Sequence, residues 1–99
     1  MNFDQIRQFT PQITKIAQKH GISKIYVFGS VARGEDTPQS DVDLLVEMQE
    51  GASLFGLAGF CYEVERILGI HVDVVPRSIL PQVRDQEFVT NIQREAIAL

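Results

Sequence analysis

Apolar residues recur along this chain in short blocks of two different periods, separated by residues that start and stop elements. Phe3 to Phe9 can make a short first helical turn. Thr10-Pro11 then reads as an N-cap followed by proline at the first helical position, with Ile13, Ile16 and Ala17 behind it and Gly21 as the stop. Lys24-Ile25-Tyr26-Val27-Phe28 is short, β-branched and aromatic, and Gly29 cuts it off, which predicts a buried strand. A polar, turn-rich connection from Ser30 to Ser40 leads to a second predicted strand, Asp41 to Glu47, with carboxylates at its start and apolar residues through its middle. Ser53 can cap a helix on which Leu54, Leu57, Ala58, Cys61, Val64 and Leu68 recur at helical spacing, ending at Gly69. His71 to Val75 predicts a third strand closed by Pro76. The remaining apolar residues, among them Leu80, Val89 and Ile92, fall at mixed spacing around Pro81 and predict a loop and a final helix.

The order helix, strand, strand, helix, strand, helix implies an α/β or α+β architecture, a small mixed β-sheet flanked by helices. With no repeat or low-complexity stretch, residues 1–99 are expected to form a single domain. A composition of 44% hydrophobic and 22% charged residues is that of a packed chain rather than a disordered one. Thirteen acidic against nine basic residues leave a charge of −4, which argues against a surface built for nucleic acid. Cys61 is alone and cannot bridge internally, and no charged-then-apolar leader opens the chain, so the expected compartment is the cytoplasm. Apolar runs such as Leu44-Leu45-Val46 fall far short of the roughly 20 residues that cross a bilayer, so no membrane partner is expected.

The most unusual stretch lies between the first two strands. Gly29, lacking a Cβ, lets the backbone turn sharply off the strand and lets an anion approach the amides that follow. Ser30 offers its N–H and hydroxyl to a phosphate if Ser30 to Arg33 form one helical turn. No Gly-Lys-Ser/Thr follows, so this is not a Walker A loop. After a gap of ten residues from Ser30, Asp41 and Asp43 alternate with Val42 and therefore project from one face of their strand. Side by side they would repel, and a hard divalent cation, Mg²⁺, is the usual reason to tolerate the pair. Asp73, inside an apolar strand, needs a cation or a donor as well. If its strand neighbours that of Asp41, three carboxylates meet, enough to hold two ions on a nucleoside triphosphate and to take a proton from an attacking hydroxyl.

Through Gly29-Ser30, Ala32-Arg33-Gly34, Ser40-Asp41-Val42-Asp43-Leu44 and Asp73, the chain resembles the minimal nucleotidyltransferases of the DNA polymerase β-like superfamily over essentially its whole length. Val31 stands where that family has an aromatic or hydrophobic residue. The resemblance implies the nucleotidyltransferase fold, Asp41, Asp43 and Asp73 as catalytic, metal-binding residues, and Gly29 and Ser30 as the triphosphate-binding pair. It further implies an MntA-type antitoxin of a type VII toxin–antitoxin pair, moving AMP from ATP to a tyrosine of a HEPN-domain toxin. Larger nucleotidyltransferases carry an extra domain for the acceptor, and 99 residues leave no room for one, so a partner protein, or a second copy of the chain, is expected to complete the acceptor site. Rival readings are a binding module that neutralises its partner without catalysis, and transfer to a small molecule or an RNA end.

Other residues have plainer readings. Arg33 could neutralise phosphate charge or be an ordinary loop arginine. His20 is expected to serve the C-terminal dipole of its helix, Cys61 to pack in the core, and Tyr62, Glu63, Glu65 and Arg66 to form the polar side of their helix. His71 shares a strand face with Asp73 and is read as solvated.

Overall fold

The computed structural model describes all residues, 1–99. A short helix α1 (Phe3–Arg7) leads into α2 (Thr10–Lys19), then strand β1 (Ile22–Phe28), the one-turn helix α3 (Gly29–Arg33), β2 (Val42–Met48), the long helix α4 (Leu54–Leu68) and β3 (Val72–Pro76). A 3₁₀ turn (Arg77–Gln82), α5 (Gln86–Glu95) and a two-residue strand β4 (Ile97–Ala98) complete the chain. The sheet runs β3-β2-β1-β4, with β1 antiparallel to both β2 and β4 and β2 parallel to β3. This is the expected mixed sheet flanked by helices. The parallel pair needs a crossover, and α4, capped by Ser53 on the N–H of Gly56, supplies it.

Alternation along the strands sorts the core into two layers. Val42, Leu44 and Val46 of β2 join Val27 and Val72 under α1, α2 and α4, in a cluster of 13 buried residues that includes Ile6, Ile13 and Phe60. Leu45 points the other way, with Phe28, to Leu80 and to Val89 and Ile92 of α5, in a cluster of only 5. One face of the sheet is thickly covered and the other thinly. Asp43, in phase with Leu45, therefore emerges on the thin side.

β2 and β3 each lie one residue later than the sequence predicts, and three further boundaries depart from it for reasons the structure shows. Thr10 is not an N-cap: α1 and α2 are so close that Phe9 leads α2, its carbonyl accepting the N–H of Ile13 at 2.9 Å, while the Thr10 hydroxyl is buried with no partner. β1 begins at Ile22 rather than Lys24, with a bulge between the two where Ser23 Oγ donates to the Glu47 carbonyl. The chain end is a strand, not the tail of a helix, because Ile97 and Ala98 pair with Val27 and Tyr26; two residues are too few to show a period.

Candidate active site

The register of the parallel pair sets Asp43 directly beside Asp73, and that of the antiparallel pair sets Asp43 opposite Phe28, the last residue of β1. Three elements thus meet at one sheet end. Asp41 precedes β2 by one residue and is exposed; its carboxylate, that of Asp73 and the His71 ring offer ligand atoms within 4.8 Å of one another. Asp43 is half-buried, and burial, then Asp73, then Asp41 push its carboxyl above the ordinary carboxylate range, with Arg33 partly opposing.

The turn off β1 fits against that carboxylate. Gly29 has φ +75°, a region L-residues avoid, and a Cβ placed on it would lie 2.3 Å from Asp43 Oδ2. Glycine is thus required both by conformation and by the closeness of the aspartate. Gly29 itself opens α3, so the single helical turn considered for Ser30 to Arg33 starts one residue earlier. A cavity of about 610 Å³ opens here, lined in part by Gly29, Ser30, Arg33, Asp43 and Asp73. Five of the six residues singled out for the site therefore share one concavity, and Asp41 joins them through Asp73.

Two participants escaped the sequence reading and a third was undervalued. Glu95, the last residue of α5, accepts the Gly29 N–H at 3.2 Å and receives Arg33 Nη1 on both carboxylate oxygens at 3.0 Å. Arg33 also donates from Nε to Glu35 at 2.5 Å, and the two acids push its pKa up. Arg33, read from the sequence as a phosphate ligand or an ordinary loop arginine, lines the cavity and ties the elbow to α5 through these contacts. Glu95 lies more than sixty residues from both partners, so only the fold joins them.

His71 corrects the reading of a merely solvated side chain. Its Nε2 lies 3.0 Å from Asp73 Oδ1 and its Nδ1 2.9 Å from Glu65 Oε2, although the ring is still 58% exposed. The Asp73 carboxylate raises its pKa. Glu65 is more than the polar side of α4: the same Oε2 accepts the Val72 N–H at 2.9 Å, fixing the start of β3. The shared parity of His71 and Asp73 was the available signal; nothing in the sequence pointed to Glu65. Cys61 is only partly buried and donates to the Val72 carbonyl, and burial pushes its thiol up. His20 does sit at the C-terminus of α2, but its ring is held by Glu63.

The nucleotidyltransferase domain model matches residues 11–99. A relative from Methanocaldococcus jannaschii, described as a candidate protein adenylyltransferase, is 42% identical over 87% of this chain and 90% of its own length. A solved structure described as a candidate minimal nucleotidyltransferase superposes with a TM-score of 0.80 at 34% identity, covering 100% of this chain and 97% of the other. The same fold, at 15% identity and a TM-score of 0.62 over 93% of this chain and 69% of the other, occurs in a complex of a tri-AMPylated Shewanella oneidensis HEPN toxin with an MNT antitoxin. No helix of the chain is long and apolar enough to cross a membrane.

Proposed function

The chain belongs to the nucleotidyltransferase domain family, and on that premise we propose that it transfers AMP from ATP to a tyrosine hydroxyl of a HEPN-domain toxin, acting as the antitoxin of a type VII pair. The observation that carries the reading is the convergence of Asp41, Asp43 and Asp73 beside a glycine elbow that leaves no room for a Cβ. Naming the acceptor as a HEPN toxin draws on the sequence resemblance and on the toxin bound to the structural neighbour.

The donor set fits Mg²⁺. Three carboxylates crowd together and Asp43 is pushed toward its neutral form by burial and by the other two, so a hard cation with oxygen ligands relieves both effects. Asp41, Asp43 and Asp73 would hold two ions; when bound, they supply charge neutralisation on the triphosphate oxygens. The protein's own groups do the rest. The Gly29 and Ser30 amides receive phosphate oxygens at the start of α3, provided Glu95 yields the Gly29 N–H. Asp73, half exposed on the cavity wall, accepts the proton of the attacking hydroxyl on the carboxylate oxygen that His71 does not engage. The acceptor oxygen bonds to the α-phosphorus, the bond to the bridging oxygen breaks, and pyrophosphate leaves. Alignment of these groups supplies most of the rate, as in phosphoryl transfer generally.

Intact-mass spectrometry of a HEPN-domain protein encoded beside this chain, incubated with the chain, ATP and Mg²⁺, tests the reading. Gain of one or more AMP units, lost with the Asp41→Asn/Asp43→Asn double variant, is expected. Unchanged mass in a complex that nonetheless forms would replace the enzyme with a binding module.

A further inference from the structure

We propose that Phe88 and Asn91 of α5 form the subsite for the base of the donor nucleotide, with the Phe88 ring as the stacking surface, and that this subsite favours a purine over a pyrimidine. The proposal rests on the reading above that the site binds a nucleoside triphosphate. It deepens that reading by naming the residues that hold the base and the class of base they take.

The cavity at the aspartates does not end with them. It runs on along α5, where Phe88, Asn91 and Glu95 line it together with Asp73 and Val75 of β3. Positions 88, 91 and 95 are spaced by three and four residues and so fall on one face of the helix. Glu95 at one end meets the Gly29 N–H, and Phe88 lies two turns away, about 10 Å along the axis. A nucleoside separates its base from its 5′-phosphates by a similar length. A triphosphate seated at the start of α3 therefore brings its base within reach of Phe88.

Phe88 is 40% exposed, although its helix neighbours Val89 and Ile92 are buried in the thin core. A single exposed phenyl on a convex surface is ordinary, but this one lines a concavity. It meets Phe28, the residue before the elbow, with 6.5 Å between centroids and 83° between planes. A perpendicular contact engages the ring by its edge or by one face and leaves at least one face free, as a stacking base requires. Asn91 supplies an independent observation. Its Oδ1 accepts Arg94 Nη2 at 2.9 Å, and because a guanidinium only donates, the oxygen must be the atom on that side. The Nδ2 protons find no acceptor in the chain, so one turn from the ring two N–H donors remain for a ring nitrogen of the base. A purine, with ring nitrogens on both of its rings, covers the phenyl and still reaches this amide about 4.5 Å further along the helix. A single pyrimidine ring is too short to do both.

Calorimetric titration of the full chain with Mg²⁺ and no acceptor protein reads this directly, with α,β-methylene-ATP, α,β-methylene-CTP and the baseless ribose 5-triphosphate as ligands. The ATP analogue is expected to bind at least about tenfold tighter than ribose 5-triphosphate, and severalfold tighter than the CTP analogue. Phe88→Ala should remove most of that lead and leave ribose 5-triphosphate within about twofold, whereas Phe88→Tyr, which keeps a ring, should retain the lead. Asn91→Leu should narrow the preference for the ATP analogue over the CTP analogue. The three-ligand comparison on the wild type needs no substitution, should a variant fold poorly. Absence of a lead over ribose 5-triphosphate, or a lead that Phe88→Ala leaves intact, overturns the base subsite. So does a loss in Phe88→Ala shared equally by ribose 5-triphosphate, which would make the ring a support for the phosphate site. Equal binding of the two nucleotide analogues overturns the purine preference. Failure of the wild type to bind any of the three overturns the nucleotide reading itself, and this proposal with it.

Discussion

On the thickly covered side of the sheet, where α2 meets α4, Glu63 receives Lys19 Nζ at 2.5 Å and the His20 ring, and its bonds to these two partners pull its carboxyl below the ordinary range. On the thin side, Asp43 is pushed the opposite way by burial and by two neighbouring aspartates. The first group is close to neutral in itself and steadies helix packing: the ring of His20 fills the space that a Cβ on Gly59 would need. The second is an unbalanced set of negative charge beside a concavity. Concavity alone does not tell them apart, because the α2–α4 face carries a cavity of about 630 Å³, as large as the one at the aspartates. The direction of the pKa shift does. Charges that the fold balances serve stability, and charges it leaves unbalanced wait for a ligand.

Gly29→Ala should disturb the aspartate side most. The alanine must adopt a left-handed backbone and displace the Asp43 carboxylate, so we expect a loss of about 1–2 kcal/mol in stability and at least roughly a hundredfold in AMP transfer, read by denaturant unfolding and by a transfer assay. Wild-type transfer would break the link between the elbow and Asp43.

Glu95→Gln comes next. Its carboxylate competes with phosphate for the Gly29 N–H, and a neutral amide competes less, so the KM for ATP should fall severalfold while the fold persists. Glu35→Gln, which touches Arg33 but makes no contact with the elbow amide, is the control for a general charge effect. An equal fall in both variants would show that charge rather than occupancy of the amide is responsible.

Asp43→Asn sharpens the contrast in sign. Because the folded protein holds the Asp43 proton above its ordinary 3.8, ionisation of this group costs stability. That cost is absent below the unfolded value and is complete once pH has risen through the folded one. The variant should melt a few degrees higher than wild type near pH 7 without divalent ions, as about 0.5–1 kcal/mol would give for a domain of this size after discounting solvent screening. The advantage should vanish in strong acid. Scanning calorimetry at several pH values checks it, and a lower Tm at neutral pH would sink it.

Glu63→Gln should have the smallest effect and the opposite sign. Glu63 titrates below its ordinary 4.5, so its contribution is present above that value and is lost as pH falls through the folded one. We expect a Tm drop at pH 7 smaller than the Asp43→Asn rise, with unaltered AMP transfer. A transfer defect would mean that the two faces are coupled.

Local chemistry made much of this molecule legible from the chain alone. Gly29 after a β-branched run, Gly69 after an amphipathic one and Ser53 before it marked element ends, because turns and caps depend on a residue's own backbone and on neighbours a few positions away. The alternation Asp41-Val42-Asp43 put two carboxylates on one face for the same reason. Thr10 misled because capping also depends on how the preceding helix enters, which here left its hydroxyl buried and unpaired.

What the order of residues by itself determined, then, was the sequence of elements, their apolar faces and the carboxylates each could present, all consequences of periods of two and 3.6 residues. Only the tertiary structure decided that β3 lies parallel to β2 in a register setting Asp73 against Asp43, that Glu95 reaches back to Gly29, and that Glu65 stands behind His71. Strand register and helix docking are fixed by burial summed over the whole core, and no local pattern encodes a sum of that kind.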